Sequence, residues 1–80
     1  MLTDEEILSR ITNVVRDQLD DDELTLTPTT EANSVDGWDS LAHVRIMIAV
    51  EEEFGVRFQT SEITSLKNVG GLVALVRSKL

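Results

Sequence analysis

The sequence predicts an all-α fold, a small four-helix bundle with a long first loop and a short third helix. Three observations lead to this prediction. Eighty residues suffice for one domain with one core, so we expect residues 1–80 to form a single unit. Apolar residues recur every three or four positions in three segments, as on the buried face of a helix. No segment shows the alternation of apolar and polar residues that marks a half-buried strand.

The first helix is expected to begin at Thr3. Thr3 and Glu6 have the spacing of a capping box, in which each side chain accepts the other residue's backbone N–H. One stripe of this helix is apolar and is assigned to the core: Ile7, Leu8, Ile11, Val14, Val15 and Leu19. The four acids from Asp20 to Glu23 lack the spacing of an EF-hand loop, so we expect them to form a solvated loop.

A long connection without helical periodicity runs from Leu24 to Asp39. A connection of this length in a compact domain needs apolar anchors, and Leu24, Leu26 and Val35 are the candidates. Trp38 either packs beneath this loop as a further anchor or stays half-exposed as a contact for partners. The sequence leaves both possibilities open.

The second helix is expected to span about Ser40 to Phe54. Its core side is assigned to Val44, Met47, Val50 and Phe54, with Ile46 at one edge. Two further apolar residues, Leu41 and Ile48, fall on a different strip of the helix, next to Arg45 and Glu52. This strip is either a docking surface or a face that packs beneath a loop.

The remaining chain predicts one short and one longer helix. Gly55 is expected to end the second helix in the left-handed conformation. Residues 60–63 form the short third helix, and Asn68 caps the fourth. The apolar residues of the fourth helix are Val69, Leu72, Val73, Val76 and Leu80. Gly70 and Gly71 in its first turn leave room for another helix, or a substrate chain, to approach closely.

Charge and composition narrow the function. The formal net charge of −8 argues against binding nucleic acid and favours partners with basic surfaces, although acidity can also serve solubility alone. Without cysteine and with one histidine, the chain offers neither a thiolate nor a multi-histidine metal site. No apolar run reaches about 18 residues, and acids occupy the N-terminus, so we expect a cytoplasmic protein without membrane insertion.

The start of the second helix is the candidate functional site. Asp39 and Ser40 are both good N-cap residues, and either could cap here. The Ser40 hydroxyl then lies at the positive end of the helix, which favours an anion such as phosphate. His43 lies one turn away, but no nucleophile-elbow motif accompanies the pair, so we expect no catalytic residue. At helical spacing, His43 falls on the core-facing side of this helix.

Two motifs give the chain a recognisable pattern. Residues 37–41 read GWDSL, and the apolar helix that follows ends in EEEFGV at residues 51–56. In an acidic chain of this size, the combination resembles the acyl carrier protein family. The resemblance implies that Ser40 carries 4′-phosphopantetheine through a phosphodiester, added from coenzyme A by a phosphopantetheinyl transferase with Mg²⁺. It also implies that Asp39 contacts the transferase and its metal ion, and that His43 borders the mouth of a pocket that shelters the attached chain. From the composition, we expect no metal site in the chain itself.

The resemblance implies a non-catalytic, monomeric and freestanding carrier. The arm's thiol would hold acyl groups as thioesters and present them to acyl-loading and acyl-transferring enzymes of fatty acid, polyketide or related biosynthesis. The expected partner-binding residues are Asp39, Leu41, Arg45, Ile48, Glu51 and Glu52. The first half of the second helix lacks the acids common in this family and contains Arg45, which predicts a specialised carrier. The alternative is a small acidic helical adaptor without a prosthetic group.

Overall fold

The computed structural model describes residues 2–80, and the helices in this part of the chain number four. They are α1 (Asp4–Leu19), α2 (Ser40–Phe54), α3 (Thr60–Thr64) and α4 (Val69–Lys79). The described residues contain no strand, so the predicted all-α class is confirmed. A short 3-10 turn, Ala32–Ser34, lies in the long connection. The sequence did not predict this turn, because three residues are too few to show a period.

α1 begins as its sequence predicts. The Thr3 hydroxyl accepts the Glu6 N–H at 3.1 Å, and the Glu6 carboxylate accepts the Thr3 N–H at 3.0 Å, which completes the capping box. Asp20 ends the helix in the left-handed conformation, with φ of 53°. The acids of residues 20–23 are all exposed, as expected for a solvated loop.

The core forms where α1 packs against α2 and α4. The six apolar stripe residues of α1 all contribute, three fully buried and three half-buried against the others. The complete buried set is Ile7, Ile11, Val15, Leu26, Trp38, Ala42, Ile46, Met47, Val50, Val69, Leu72, Val73 and Val76. No helix within residues 2–80 is long and apolar enough to cross a membrane.

Val44, which was assigned to the core, and Leu80, an apolar residue of the predicted fourth helix, are both exposed. Val44 is 53% exposed and Leu80 is 59% exposed. At 100° per residue, Val44 lies about 120° around α2 from buried Val50 and only about 40° from exposed Ile48. It therefore belongs to the outer side of the helix. Leu80 follows the last residue of α4, where the helical backbone no longer directs a side chain onto α1.

The long connection is fastened to the helices at several points. Leu26 is buried, while Leu24 and Val35 are half-buried against the core, so all three predicted anchors pack inward. The Leu24 carbonyl accepts a hydrogen bond of 2.6 Å from the Arg16 guanidinium. These contacts let a connection with little secondary structure hold one path across the bundle.

The first turn of α4 holds the middle of this connection. The Gly70 N–H donates to the Pro28 carbonyl and the Val69 N–H donates to the Thr30 carbonyl, each at 2.8 Å. A Cβ at position 70 would lie 2.8 Å from the Pro28 oxygen. The close approach expected at this glycine is therefore made by the long loop, and neither a helix nor a substrate chain makes it.

The C-terminal end of α2 is tied to α1. The Arg10 Nε lies 2.7 Å from a Glu53 carboxylate oxygen, and the guanidinium lies 4.8 Å from the centre of the Phe54 ring. Gly55 then ends α2 with φ of 66°, as predicted. Phe54 is half-buried, so its predicted place in the core is at the edge.

Candidate functional site

A tight turn delivers the chain to the start of α2. The Trp38 N–H donates to the Val35 carbonyl at 3.2 Å, and Gly37, the third residue of this turn, has φ of 86°. That angle lies in the left-handed region, which glycine adopts without steric cost. The glycine of the GWDSL motif thus reverses the chain and places the next three residues at the beginning of the helix.

Asp39 is the N-cap of α2. Its carboxylate Oδ1 accepts the Ala42 N–H at 2.8 Å, and its backbone is extended, with φ of −94° and ψ of −171°. The Asp39 carbonyl accepts the His43 N–H at 2.8 Å. Of the two cap candidates that the sequence left open, Asp39 caps the helix, and Ser40 is its first residue.

Ser40 presents a free hydroxyl at this helix start. Its side chain is exposed, and within residues 2–80 no protein group hydrogen-bonds its hydroxyl. The backbone N–H groups of Ser40 and Leu41 precede the first intrahelical bonds and have no acceptor in the same part of the chain. Two free N–H groups and the helix dipole suit a phosphate attached at this oxygen. The negative charges of Asp36 and Asp39 oppose it in part.

Trp38 anchors the chain immediately before the site. It is only 8% exposed, so it packs beneath the loop, and the half-exposed alternative is wrong. Its indole Nε1–H donates to His43 Nδ1 at 3.1 Å. The other imidazole nitrogen, Nε2, lies 3.4 Å from the Ile63 carbonyl oxygen. His43 therefore connects the turn before α2 with α3.

A small apolar cavity lies beside this pair. Its volume is about 30 Å³, and its walls include Trp38, His43, Met47, Leu66, Val69 and Leu72. Lys67 and Asn68 supply polar groups to its lining. His43 borders this cavity, as the family resemblance implied.

One side of α2 carries large apolar side chains into solvent. Leu41 is 76% exposed and Ile48 is 50% exposed, and Val44 is exposed beside them. Arg45 and Glu52 are also exposed on the same side. These five residues are called the outer face of α2 below. Because the face is open, the alternative that it packs beneath a loop is wrong.

Glu51 differs from the other predicted partner-binding residues. Its side chain is half-buried, and its carboxylate accepts the Phe58 N–H at 2.7 Å. This bond holds the connection between α2 and α3 against the end of α2. The structure thus gives Glu51 a structural contact that the sequence did not predict, and its contact with a partner stays a prediction.

Comparison with known proteins agrees with this geometry. A family model described as a phosphopantetheine attachment site matches residues 6–76. An acyl carrier protein of Thermotoga maritima is 33% identical, covering 100% of this chain and 99% of its own length. The chain belongs to the acyl carrier protein family. Another acyl carrier protein, from Thermosynechococcus vestitus, is 33% identical over 94% of this chain and 93% of its own.

The fold agrees with that of a solved member of the acyl carrier protein family. The solution structure of holo acyl carrier protein from Geobacter metallireducens superimposes with a TM-score of 0.84 at 40% identity, covering 91% of this chain and 84% of the other. The family assignment confirms the resemblance to acyl carrier proteins that the GWDSL and EEEFGV motifs indicated. It also confirms 4′-phosphopantetheine as the prosthetic group.

Proposed function

We propose that the Ser40 oxygen is the attachment point and that this acyl carrier protein presents cargo to other enzymes without catalysing a reaction itself. One observation carries the proposal. The exposed Ser40 hydroxyl is the first side chain of α2, directly after the Asp39 cap, where two backbone N–H groups are free. When bound, the prosthetic group supplies a terminal thiol that can hold an acyl group as a thioester.

The chain's own residues hold and orient this site. Asp39 fixes the first turn of α2 through one carboxylate oxygen. Its other oxygen has no hydrogen-bond partner among the described residues and is available to the transferase and its Mg²⁺. The N–H groups of Ser40 and Leu41 stabilise the phosphodiester charge next to the seryl oxygen. Buried Trp38, through its hydrogen bond to His43, ties the turn to α2.

The outer face of α2 is proposed as the docking surface for partner enzymes. Leu41, Val44 and Ile48 offer apolar area, since a cluster of exposed large apolar side chains marks an interaction site. The positive charge of Arg45, near the middle of this face, would pair with a carboxylate on the partner. Glu52, three turns from Ser40, calls for a basic group.

We also propose a pathway class, an oligomeric state and a cellular location for this carrier. The absence of acids on the first half of α2 supports a specialised carrier with dedicated enzymes, in a polyketide or related pathway or a variant of fatty acid synthesis. We propose that residues 1–80 act as one monomeric carrier domain in the cytoplasm. The resemblance and the cysteine-free, acidic composition support this.

The attachment point is tested by incubating the purified protein with coenzyme A, Mg²⁺ and a broad-specificity phosphopantetheinyl transferase. We expect the intact mass to rise by one phosphopantetheine group, and Ser40→Ala to show no increase. Ser61→Ala is the matched control, because Ser61 is an exposed serine in the first turn of α3, and it should be modified like the native protein. Modification of Ser40→Ala, or none of the native protein, would contradict the proposal.

A further inference from the structure

The Trp38–His43 pair lines the cavity, and both residues are within three positions of Ser40 in the sequence. His43 is one turn after Ser40 on α2, a rise of about 4.5 Å along the helix axis. The imidazole accepts a hydrogen bond from the Trp38 N–H at Nδ1, and its Nε2 faces the Ile63 carbonyl oxygen. A chain that reaches from Ser40 into the cavity therefore meets both side chains, because both line it.

The chemistry of the donors fixes the direction of both hydrogen bonds. An indole nitrogen can only donate, so His43 Nδ1 is the acceptor and carries no proton. The neutral ring then carries its proton on Nε2, which donates to the Ile63 carbonyl. Trp38, His43 and Ile63 thus form a continuous series of hydrogen bonds from the loop through α2 to α3. This series is called the Trp38–His43 latch.

Resting on the proposed attachment at Ser40, we propose that the Trp38–His43 latch excludes long acyl chains from the interior and that this carrier shelters only short acyl groups. The cavity volume of about 30 Å³ supports the proposal, because it has room for roughly two water-sized groups. Trp38, at 8% exposure, fills the adjoining space, and widening the cavity requires its indole or the imidazole to move. The cargo class is therefore an acyl group of about two carbons, or a longer one that remains in solvent.

The native protein provides the first test. The phosphopantetheine arm is loaded with acetyl, butyryl or octanoyl groups, and the melting temperature is measured for each. The Trp38 indole N–H signal, the only tryptophan signal in the chain, is followed by NMR. We expect the octanoyl and acetyl forms to melt within about 2 °C of each other, with the indole signal unchanged. A melting temperature that rises steadily with chain length, with a shifted indole signal, would overturn the proposal.

A pair of variants tests whether the latch is responsible. His43→Ala removes both hydrogen bonds and widens the cavity, whereas Thr64→Ala changes an exposed residue of α3 that does not line it. In His43→Ala we expect the octanoyl form to melt higher than the acetyl form, by on the order of 10 °C, because several methylenes become buried. Thr64→Ala should behave like the native protein. If His43→Ala also shows no dependence on chain length, the latch does not control entry.

Failure of the attachment proposal and failure of the latch proposal give different results. Intact mass reports attachment before any acyl group is compared. If Ser40 is not modified, free octanoyl-pantetheine and free acetyl-pantetheine are titrated into the unmodified protein, and the same indole signal is read. A shift with the octanoyl compound in the native protein contradicts the latch, and a shift only in His43→Ala supports it.

Discussion

At the scale of single residues, Asp39 has two separable functions. It caps α2 through a 2.8 Å bond to the Ala42 N–H, and it brings a negative charge next to the proposed attachment oxygen. The sequence predicted a cap at this place but not which residue provides it, because serine and aspartate cap about equally well. The extended backbone at Asp39 decides the question, and only the folded chain shows it.

Substituting Asp39 separates the two functions. Asp39→Ala should lower the free energy of unfolding by about 1 kcal/mol, the usual value of an N-cap. Asp39→Asn should keep most of that stability, since asparagine caps equally well. Both variants should be modified more slowly by the transferase because the carboxylate is lost. Chemical denaturation and a loading time course measure the two effects; normal loading of Asp39→Asn would refute a function of the charge.

His43 and Trp38 show the limit of sequence reasoning at this scale. The helical wheel placed His43 towards the core, and the family resemblance placed it beside a pocket; the half-buried imidazole in the cavity lining confirms both. The hydrogen bond from Trp38 to His43 could not be predicted, because periodicity says nothing about how a tryptophan outside the helix is oriented. For the same reason, burial of Trp38 remained an open alternative until the loop was placed.

At the scale of elements, the two glycines at the start of α4 have different environments. A Cβ on Gly70 would meet the Pro28 backbone oxygen at 2.8 Å, whereas one on Gly71 would make only ordinary contacts at 3.6 Å. Gly70→Ala should therefore destabilise the fold by roughly 1–3 kcal/mol, because the loop must move. Gly71→Ala should stabilise it by about 0.5–1 kcal/mol through its better helix propensity. Urea denaturation measures the free energy of unfolding of both variants. Equal changes in the two would show that the contact between Gly70 and the loop does not determine the effect.

The capping box of α1 makes a pH-dependent contribution to stability. The hydrogen bond from the Thr3 N–H lowers the pKa of Glu6 below its ordinary value of 4.5. A lowered pKa means that folding favours the charged carboxylate, so this contribution is complete above about pH 4.5 and is lost as the pH falls through the lowered pKa. The Gln59 N–H and then Lys79 lower the pKa of Glu62 at the start of α3 in the same direction.

The variant Glu6→Gln tests the sign of this effect. Its melting temperature should lie below that of the native protein at pH 7, and the difference should shrink as the pH falls below 4.5 through the lowered pKa of Glu6. Glu5→Gln is the matched control, because Glu5 adjoins the box without belonging to it. Its difference from the native protein should not follow this pH profile. If the difference in melting temperature between Glu6→Gln and the native protein widened on acidification, the stabilising contribution assigned to the Glu6 carboxylate would be contradicted.

The elements themselves were largely predictable, because three of the four helices have clear apolar periods and recognisable caps. The prediction failed where the pattern is ambiguous. Val44 lies between the buried and exposed sides of α2, and only the placement of α1 shows that nothing covers it. The path of the long loop depends on backbone bonds to α4, which leave no periodic signal in the sequence.

At the scale of the whole molecule, we propose that the strong negative charge and the outer face of α2 act together in partner binding. The formal net charge of −8 attracts basic partners over a distance, while Arg45 provides one positive group within the docking face. Among residues 2–80, Arg45 has no carboxylate partner, unlike Arg10 and Arg77. Its charge is therefore available to a partner enzyme.

Reversing the charge of Arg45 should weaken docking locally. Arg45→Glu is expected to slow association with the acyl-loading enzyme that charges this carrier several-fold, because a matched carboxylate would then face a like charge. Arg77→Glu changes the net charge equally but lies on α4, next to Asp4, and should affect association much less. Binding kinetics at two salt concentrations compare the variants. If both substitutions slowed association equally, net charge alone would determine the association rate.

The most direct test of the whole account locates the prosthetic group on the chain. The loaded protein is cleaved after arginine and lysine, which yields the peptide 17–45 with Ser34 and Ser40 as its two serines. Tandem mass spectrometry of this peptide should place the added phosphopantetheine on Ser40, with Ser34 unmodified. Finding the group on Ser34, on a threonine of this peptide or outside residues 17–45 would contradict the proposal that the first residue of α2 carries it.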